Sequence, residues 1–280
     1  QMQKQKKDCK RARREGREKE RKTLKTKAAM KAIPKTKERM RKADVTMEED
    51  KQDAEILADE EDDEFSKFFK DRKNPKILLT TCQNPSYKTK QFVKECLWLF
   101  PNAIYRPRRD YAIKEITQFC INREFSDVMI IGERLKEPYT MIVSHLPEGP
   151  TATFRLSNFL SNKQLDNTAD RTEHYPELIF KNFDTRLGRR IGRMLETLFP
   201  ATRDYDGRAV ATFHNQRDYI FLRVHRYIFD NMKAVRIQEM GPRFTLRLLS
   251  LQSGTFDTKF GEYEWFRKKE HDDDKLEWYI

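Results

Sequence analysis

Leu178-Ile179-Phe180-Lys181-Asn182-Phe183-Asp184-Thr185-Arg186-Leu187-Gly188-Arg189-Arg190-Ile191-Gly192-Arg193-Met194-Leu195-Glu196-Thr197-Leu198-Phe199-Pro200 carries the signals of a strand, a loop and a helix in turn. Leu178-Ile179-Phe180 is a short apolar run that reads as a strand. Lys181 to Asp184 is a polar loop, with Asp184 placed as the helix N-cap. Leu187, Ile191, Met194, Leu195 and Leu198 follow at helical spacing and define one buried face. Pro200 stops the helix because proline cannot continue its hydrogen-bond ladder. On the opposite face Arg186, Arg189, Arg190 and Arg193 fall at i, i+3, i+4 and i+7, a continuous arginine stripe.

The same order occurs earlier in the chain. Ile77 to Thr81 reads as a strand and Cys82 to Lys88 as a loop with a turn at Asn84-Pro85. Phe92, Val93, Cys96, Leu99 and Phe100 form a helix face, and Leu99-Phe100-Pro101 matches Leu198-Phe199-Pro200 at an offset of 99 residues. Downstream, Asp127 to Gly132 and Tyr139 to Leu146 read as paired strands before Gly149-Pro150. Arg208 to His214 and Tyr219 to Phe229 stand likewise before Gly241-Pro242, 92 residues on. The first copy has an added helix at Ala112, Ile113, Ile116, Phe119 and Cys120, with Asp110 as its N-cap. The expectation is an α/β fold built by internal duplication, with two similar halves associated through their sheets.

Charge divides the chain differently. It holds 57 Lys and Arg against 45 Asp and Glu, net +12, with 36% of residues charged, well above the roughly 25% of an average globular chain. Residues 1–42 contain 19 basic and 5 acidic side chains, whereas 44–65 contain 12 acidic and one basic. Neither stretch has clustered apolar residues, so 1–65 is expected to be a disordered or loosely helical tail. Terminal blocks of like charge act as interaction or targeting tails. Nuclear targeting and phosphate contact fit the basic part, and bare solubility is the alternative. The acidic block could also fold back on a basic groove and compete with nucleic acid. The expected domain is 74–265, in halves of about 75–160 and 175–265, followed by a C-terminal tail, 266–280.

Several function classes find no support. No apolar run approaches the ~18 residues that cross a bilayer, and no apolar stretch near Gln1 suggests a cleavable signal peptide. Cys9, Cys82, Cys96 and Cys120 lack C-x-x-C spacing, which argues against a zinc ribbon or disulfide framework. The five histidines have no metal-ligand spacing, and no nucleophile elbow, P-loop or dinucleotide glycine pattern is present. No catalytic, metal or cofactor site is therefore expected. Gly188 and Gly192 lie inside the predicted helix, where glycine costs up to ~1 kcal/mol, so close packing is their expected reason.

The binding signal is arginine-based. A solvated helix face would interleave both signs, yet the stripe meets no acidic residue in its own helix before Glu196. Phosphate contact is the favoured reading. Lys88 and Lys90 stand at the start of the first helix, where unpaired backbone N–H groups attract anions. Arg106, Arg108 and Arg109 follow Tyr105 in a loop, an aromatic beside three guanidinium groups. In the strand from Tyr219, Ile220, Leu222, Val224 and Ile228 share one face, interrupted by Arg226, and Tyr219, Phe221, Arg223, His225, Tyr227 and Phe229 the other. Helices covering the second face are the favoured explanation; a partner groove or base-stacking platform is the alternative. Tyr263, Trp265 and Phe266 read as a last strand against the core.

The motifs also resemble a known family over roughly 75–265. Thr80-Thr81-x-x-Asn84-Pro85-Ser86, His145-Leu146-Pro147-Glu148-Gly149-Pro150-Thr151-Ala152, Asn182-Phe183-x-Thr185-Arg186-Leu187-Gly188 and Gly241-Pro242-Arg243-Phe244 look like the Brix domain of eukaryotic ribosome assembly factors. Ala211 to Phe221 and Gly254-Thr255-Phe256-Asp257-x-Lys259 look most like one branch of it. The resemblance implies two halves that each resemble the anticodon-binding domain of class IIa aminoacyl-tRNA synthetases. It implies a non-enzymatic nucleolar factor of the large ribosomal subunit, without cofactor or small-molecule substrate. Its partners would be pre-rRNA, a companion assembly factor and pre-60S particle proteins. Asn182 to Phe199 would correspond to the family's sigma-70-like RNA-binding motif, which Arg186 and Arg193 match; Arg189 and Arg190 rest on spacing alone. Asp272-Asp273-Asp274 departs from the basic tail the family suggests. A small-subunit factor of the same fold and a protein-interaction scaffold are the rival expectations.

Overall fold

The computed structural model describes residues 36–42, 54–201, 205–231, 234–256, 261–273 and 276–280. The chain divides into two units, 1–42 and 43–280. In the first, the described residues form one 3-10 turn, Lys37–Met40. The rest of the basic stretch, and residues 43–53 of the acidic one, lie outside the described residues.

The second unit opens with helices α1 (Ala54–Asp62) and α2 (Ser66–Asp71). There follow β1 (Ile77–Thr81), α3 (Tyr87–Leu99), β2 (Ala103–Tyr105), α4 (Ile113–Ile121), β3 (Asp127–Arg134), β4 (Glu137–His145) and β5 (Thr151–Leu160). The remainder is β6 (Glu177–Lys181), α5 (Arg186–Glu196), β7 (Ala209–Gln216), β8 (Tyr219–Asn231), β9 (Ala234–Glu239), β10 (Arg243–Gln252), β11 (Tyr263–Phe266) and α6 (Glu270–Asp273). The strands form one sheet in the order β2-β1-β3-β4-β5-β10-β8-β7-β6, with β9 on β8 and β11 on β10. β1 runs parallel to β2 and β3, and β6 parallel to β7; the other pairs are antiparallel. Each half thus runs strand, helix, parallel strand and antiparallel meander, and the halves join where β5 pairs with β10.

The repeated motifs take equivalent places. Gly149-Pro150 and Gly241-Pro242 are both cis and precede the two joining strands, and both glycines have positive φ, +109° and +59°, which side chains rarely adopt. Phe100 and Phe199, from the two Leu-Phe-Pro motifs, meet in the core with ring centroids 5.2 Å apart. α3 and α5 cover one face of the sheet, burying Phe92, Cys96, Ile191, Met194 and Leu195 against Phe154, Phe213 and Phe244. α4 covers the other face only at the β1–β3 end, where Ile116 and Cys120 meet Leu78, Val128 and Ile130.

Several expectations are corrected. Residues 54–65, assigned to the tail, form α1 and end in Phe65, which is fully buried against the His145 ring at 5.2 Å. The stretch 266–280, also read as a tail, contains the last residue of β11, α6, and a segment whose Tyr279 and Ile280 N–H groups bond the Asp218 carboxylate. β11 does pair with the sheet as expected, with Trp265 against the core, although Tyr263 and Phe266 face outward. Glu115, not Asp110, completes the start of α4, accepting from the Ala112 N–H at 2.9 Å. β2 and β9 are strands that the sequence reading leaves out.

Candidate nucleic-acid interface

The arginine stripe is built by the capping and packing of α5. Thr185, rather than Asp184, caps it: its Oγ1 accepts the Gly188 N–H at 2.9 Å and donates to the Tyr279 carbonyl at 2.8 Å. The Ile280 backbone approaches so closely that a Cβ on Gly188 would stand 3.0 Å from it, which explains that glycine. Burial of Ile191, Met194 and Leu195 then turns the four arginines away from the sheet.

What they meet is the acidic block. Arg186 pairs with Asp59 at 3.1 Å, Arg189 with Glu60 at 2.5 Å, and Arg190 with Glu64 at 3.1 Å and Glu264 at 2.7 Å. Arg193 forks on Asp63, at 2.7 and 3.0 Å, reaches Glu60 at 3.1 Å, and lies 4.5 Å over the Phe69 ring. The acidic-block carboxylates stand 126 to 133 residues away in sequence and Glu264 stands 74 away, so the shortage of acids within the helix itself did not leave the stripe unpartnered. Twelve carboxylates within 22 residues repel one another; four guanidinium groups relieve that repulsion, and Phe65 anchors the helix beside them. Bidentate guanidinium–carboxylate pairs, as between Arg193 and Asp63, have the geometry guanidinium also uses on phosphate.

The ion pairs leave a titration signature. Burial pushes the Glu64 carboxyl up, but its backbone hydrogen bond and the Arg190 guanidinium outweigh this and hold it below the usual carboxylate range. A carboxylate depressed in the folded state contributes stability that is present above its unfolded value and lost as pH falls through the folded one. The urea midpoint is therefore expected to stay level from about pH 7 to 5 and to fall below about pH 4. Glu64→Gln should flatten part of that fall; a midpoint that rises on acidification would contradict the pairing.

The other predicted cations lie on different elements. Lys88 is exposed and pairs with Glu137 at 2.5 Å, while Lys90, two residues on, is also exposed. The first turn of α3 is closed by Ser86 and Glu133, whose carboxylate accepts from the Ser86 N–H at 2.8 Å and the Thr89 hydroxyl at 2.7 Å. Burial pushes Glu133 up, yet these hydrogen bonds hold it low; an acidic side chain thus stands where an anion site was expected. Arg106, Arg108 and Arg109 follow β2, with Arg106 and Arg109 exposed and Arg108 donating to the Tyr111 carbonyl at 3.1 Å.

A cleft of about 1310 Å³ separates α1 and α2 from the His145–Gly149 loop and opens onto all four stripe arginines. His145, held by the buried Asp127 at 2.8 Å, is one of its lining residues. The sequence offered the acidic block folding back on a basic groove as an alternative, without naming Asp59, Glu60, Asp63 or Glu64, and gave no signal for Glu264. Among the described residues, no group of three or more His, Cys, Asp or Glu is placed to hold a metal, and no helix is long and apolar enough to cross a membrane.

The Brix domain model matches residues 82–250. Ribosome production factor 1 of Pongo abelii is 49% identical over 251 residues, covering 89% of this chain and 72% of that protein. Its namesake in Saccharomyces cerevisiae is 42% identical over 229 residues, covering 81% of this chain and 76% of that protein. The crystal structure of a probable ribosomal biogenesis protein from Aeropyrum pernix K1 aligns with a TM-score of 0.47 at 16% identity, covering 62% of this chain and 96% of the other. With the motifs of both halves in place and so much of its length shared, the chain belongs to the Brix domain family, alongside the ribosome production factor 1 proteins.

Proposed function

We propose that this protein is a non-enzymatic ribosome biogenesis factor of the large subunit, acting in the nucleolus on pre-rRNA together with a companion assembly factor. Family membership supports the biogenesis role. The observation that carries the RNA reading is the α5 stripe, four guanidinium groups on one helix face, each engaged by a carboxylate. RNA would displace α1 from the stripe, and Lys90, Arg106 and Arg109 offer further exposed cations. The matching order of elements in the two halves favours an origin by duplication.

A protein partner has its own surface. Tyr227, Phe229, Val235 and Ile237 pair across the β8–β9 hairpin on one face, and Phe229 and Ile237 are 66% and 64% exposed. Such an apolar face fits a protein contact. A second reading, in which α5 serves only to dock α1 and the chain is a scaffold, is favoured by the completeness of the ion pairs. Salt dependence separates the two. Displacement of counterions from about four phosphates at about −0.7 each gives a log–log slope near about −3 for single-stranded RNA. Fluorescence anisotropy of the full chain with large-subunit pre-rRNA segments should return that slope; absence of binding at low salt would favour the scaffold.

A further inference from the structure

The sheet face away from α3 and α5 is covered by α4 at the β1–β3 end, but no described helix joins the side chains of β5, β10, β8 and β7 into a hydrophobic cluster there. Covering helices, the explanation favoured for the aromatic second face of β8, are thus not what the structure places on it. We infer that this face is a platform for single-stranded RNA. The inference rests on the RNA reading proposed above and assigns a second surface for the same ligand class.

A row of side chains crosses four strands. Arg155 of β5 stands directly opposite Arg247 of β10, and Arg247 opposite Tyr219 of β8. At the other end the ladder between β3 and β4 shifts register beside Tyr139, and such a bulge re-aims a side chain. The Arg155 guanidinium lies 5.3 Å over the Tyr139 ring, and that of Arg247 lies 4.8 Å over Tyr219. The row therefore reads aromatic, guanidinium, guanidinium, aromatic. Three interstrand steps of about 4.8 Å put its ends about 14 Å apart, the span of a few nucleotides. A second tier runs beside it, where Phe221 stands opposite Thr245 and His214, and Arg223 lies 5.9 Å over the Phe221 ring.

Basic side chains predominate on this surface, its carboxylates Glu177 and Glu239 lying on the flanking strands β6 and β9. β5, β7 and β10 contain no Asp or Glu, and β8 none before Asp230, while on this face they carry Arg155, Arg223, Arg243 and Arg247. Arg243 is held by Glu239 at the rim, but among the described residues Arg155 and Arg223 form no ion pair. Here the contrast with α5 is direct, since every stripe arginine has a carboxylate. Burial and the neighbouring cations hold the His225 imidazole down despite the opposing pull of Glu239, and burial and Lys181 hold His214 down. Anions would be welcome on such a surface. Tyrosine rings at both ends of a cationic row select for bases with exposed faces, which single strands present and duplexes hide.

The test uses the full chain, a labelled single-stranded RNA of about ten nucleotides and its duplex. Tyr139→Ala with Tyr219→Ala should weaken single-strand binding by about tenfold or more and leave duplex binding unchanged. The Tyr→Phe pair should keep parental affinity, which separates stacking from folding. Arg155→Ala with Arg223→Ala should weaken both ligands. A parallel variant with Arg186, Arg189, Arg190 and Arg193 changed to Gln reports on α5. If only that variant loses affinity, the sheet platform is overturned and the stripe reading stands. If no variant loses affinity, both fall. Loss of a protein partner with RNA binding intact in the tyrosine variants also overturns the platform.

Discussion

Changing Asp59→Asn, Glu60→Gln, Asp63→Asn and Glu64→Gln together is expected to raise RNA affinity by about tenfold to a hundredfold at about 0.1 M salt. The reason lies in what RNA must displace. The Asp59–Arg186 pair is exposed and contributes little. The Glu60 and Asp63 pairs to Arg189 and Arg193 are shielded, with arginine side chains only 18% and 16% exposed, so their loss frees the stripe most. The amides also remove like charge from beside the incoming phosphates. Stability should fall by about 1–3 kcal/mol, because half-buried guanidinium groups lose their charged acceptors. Anisotropy titrations of parent and variant at several salt concentrations read both affinity and slope. Equal affinity would mean that the stripe exists only to hold α1.

Asp218→Ala carries the largest expected loss of stability. Arg217 and Asp218 both have positive φ, 56° and 63°, at the β7–β8 hairpin turn, a conformation that Asp tolerates and alanine resists. The buried Asp218 carboxylate accepts from Arg267 at 2.6 Å and from the Tyr279 and Ile280 N–H groups at 2.7 and 3.0 Å. Removing one member of a buried pair strands the other charge and costs about 3–5 kcal/mol, or about 10 °C in Tm for a unit of this size. The segment that meets Thr185 and Gly188 at the start of α5 would loosen with it. Asp218→Asn keeps the turn residue but not the charge and should fall between parent and alanine. Differential scanning calorimetry of the three chains checks the order; an alanine variant as stable as the parent would show that the carboxylate organises nothing.

Local pattern made much of the fold legible. β1 begins and ends at the residues that the apolar run marks, and the faces of α3 and α5 follow from 3.6-residue spacing. Leu-Phe-Pro and Gly-Pro mark equivalent structural positions because each is tied to a helix stop or a strand entry. Pairings between distant segments were not legible. Nothing near Arg193 in sequence announces Asp63, 130 residues earlier, and an acidic run read alone repels itself into disorder. Ile280 is likewise buried by Asp218 and Asn215, contacts more than sixty residues apart. The stripe itself was legible because it lies on one helix; the open sheet face was legible only as an alternation along β8, since Arg155, Arg247 and Tyr219 become neighbours through strand pairing alone.

Ultraviolet crosslinking of the full chain in cells, with sequencing of the bound RNA and mass spectrometry of the crosslinked peptides, tests the central proposal most directly. The expected result is enrichment of large-subunit pre-rRNA, with nucleotide adducts on peptides spanning Arg186 to Arg193. Enrichment of small-subunit precursors, or no RNA recovered above background from a folded and partner-bound chain, would contradict it.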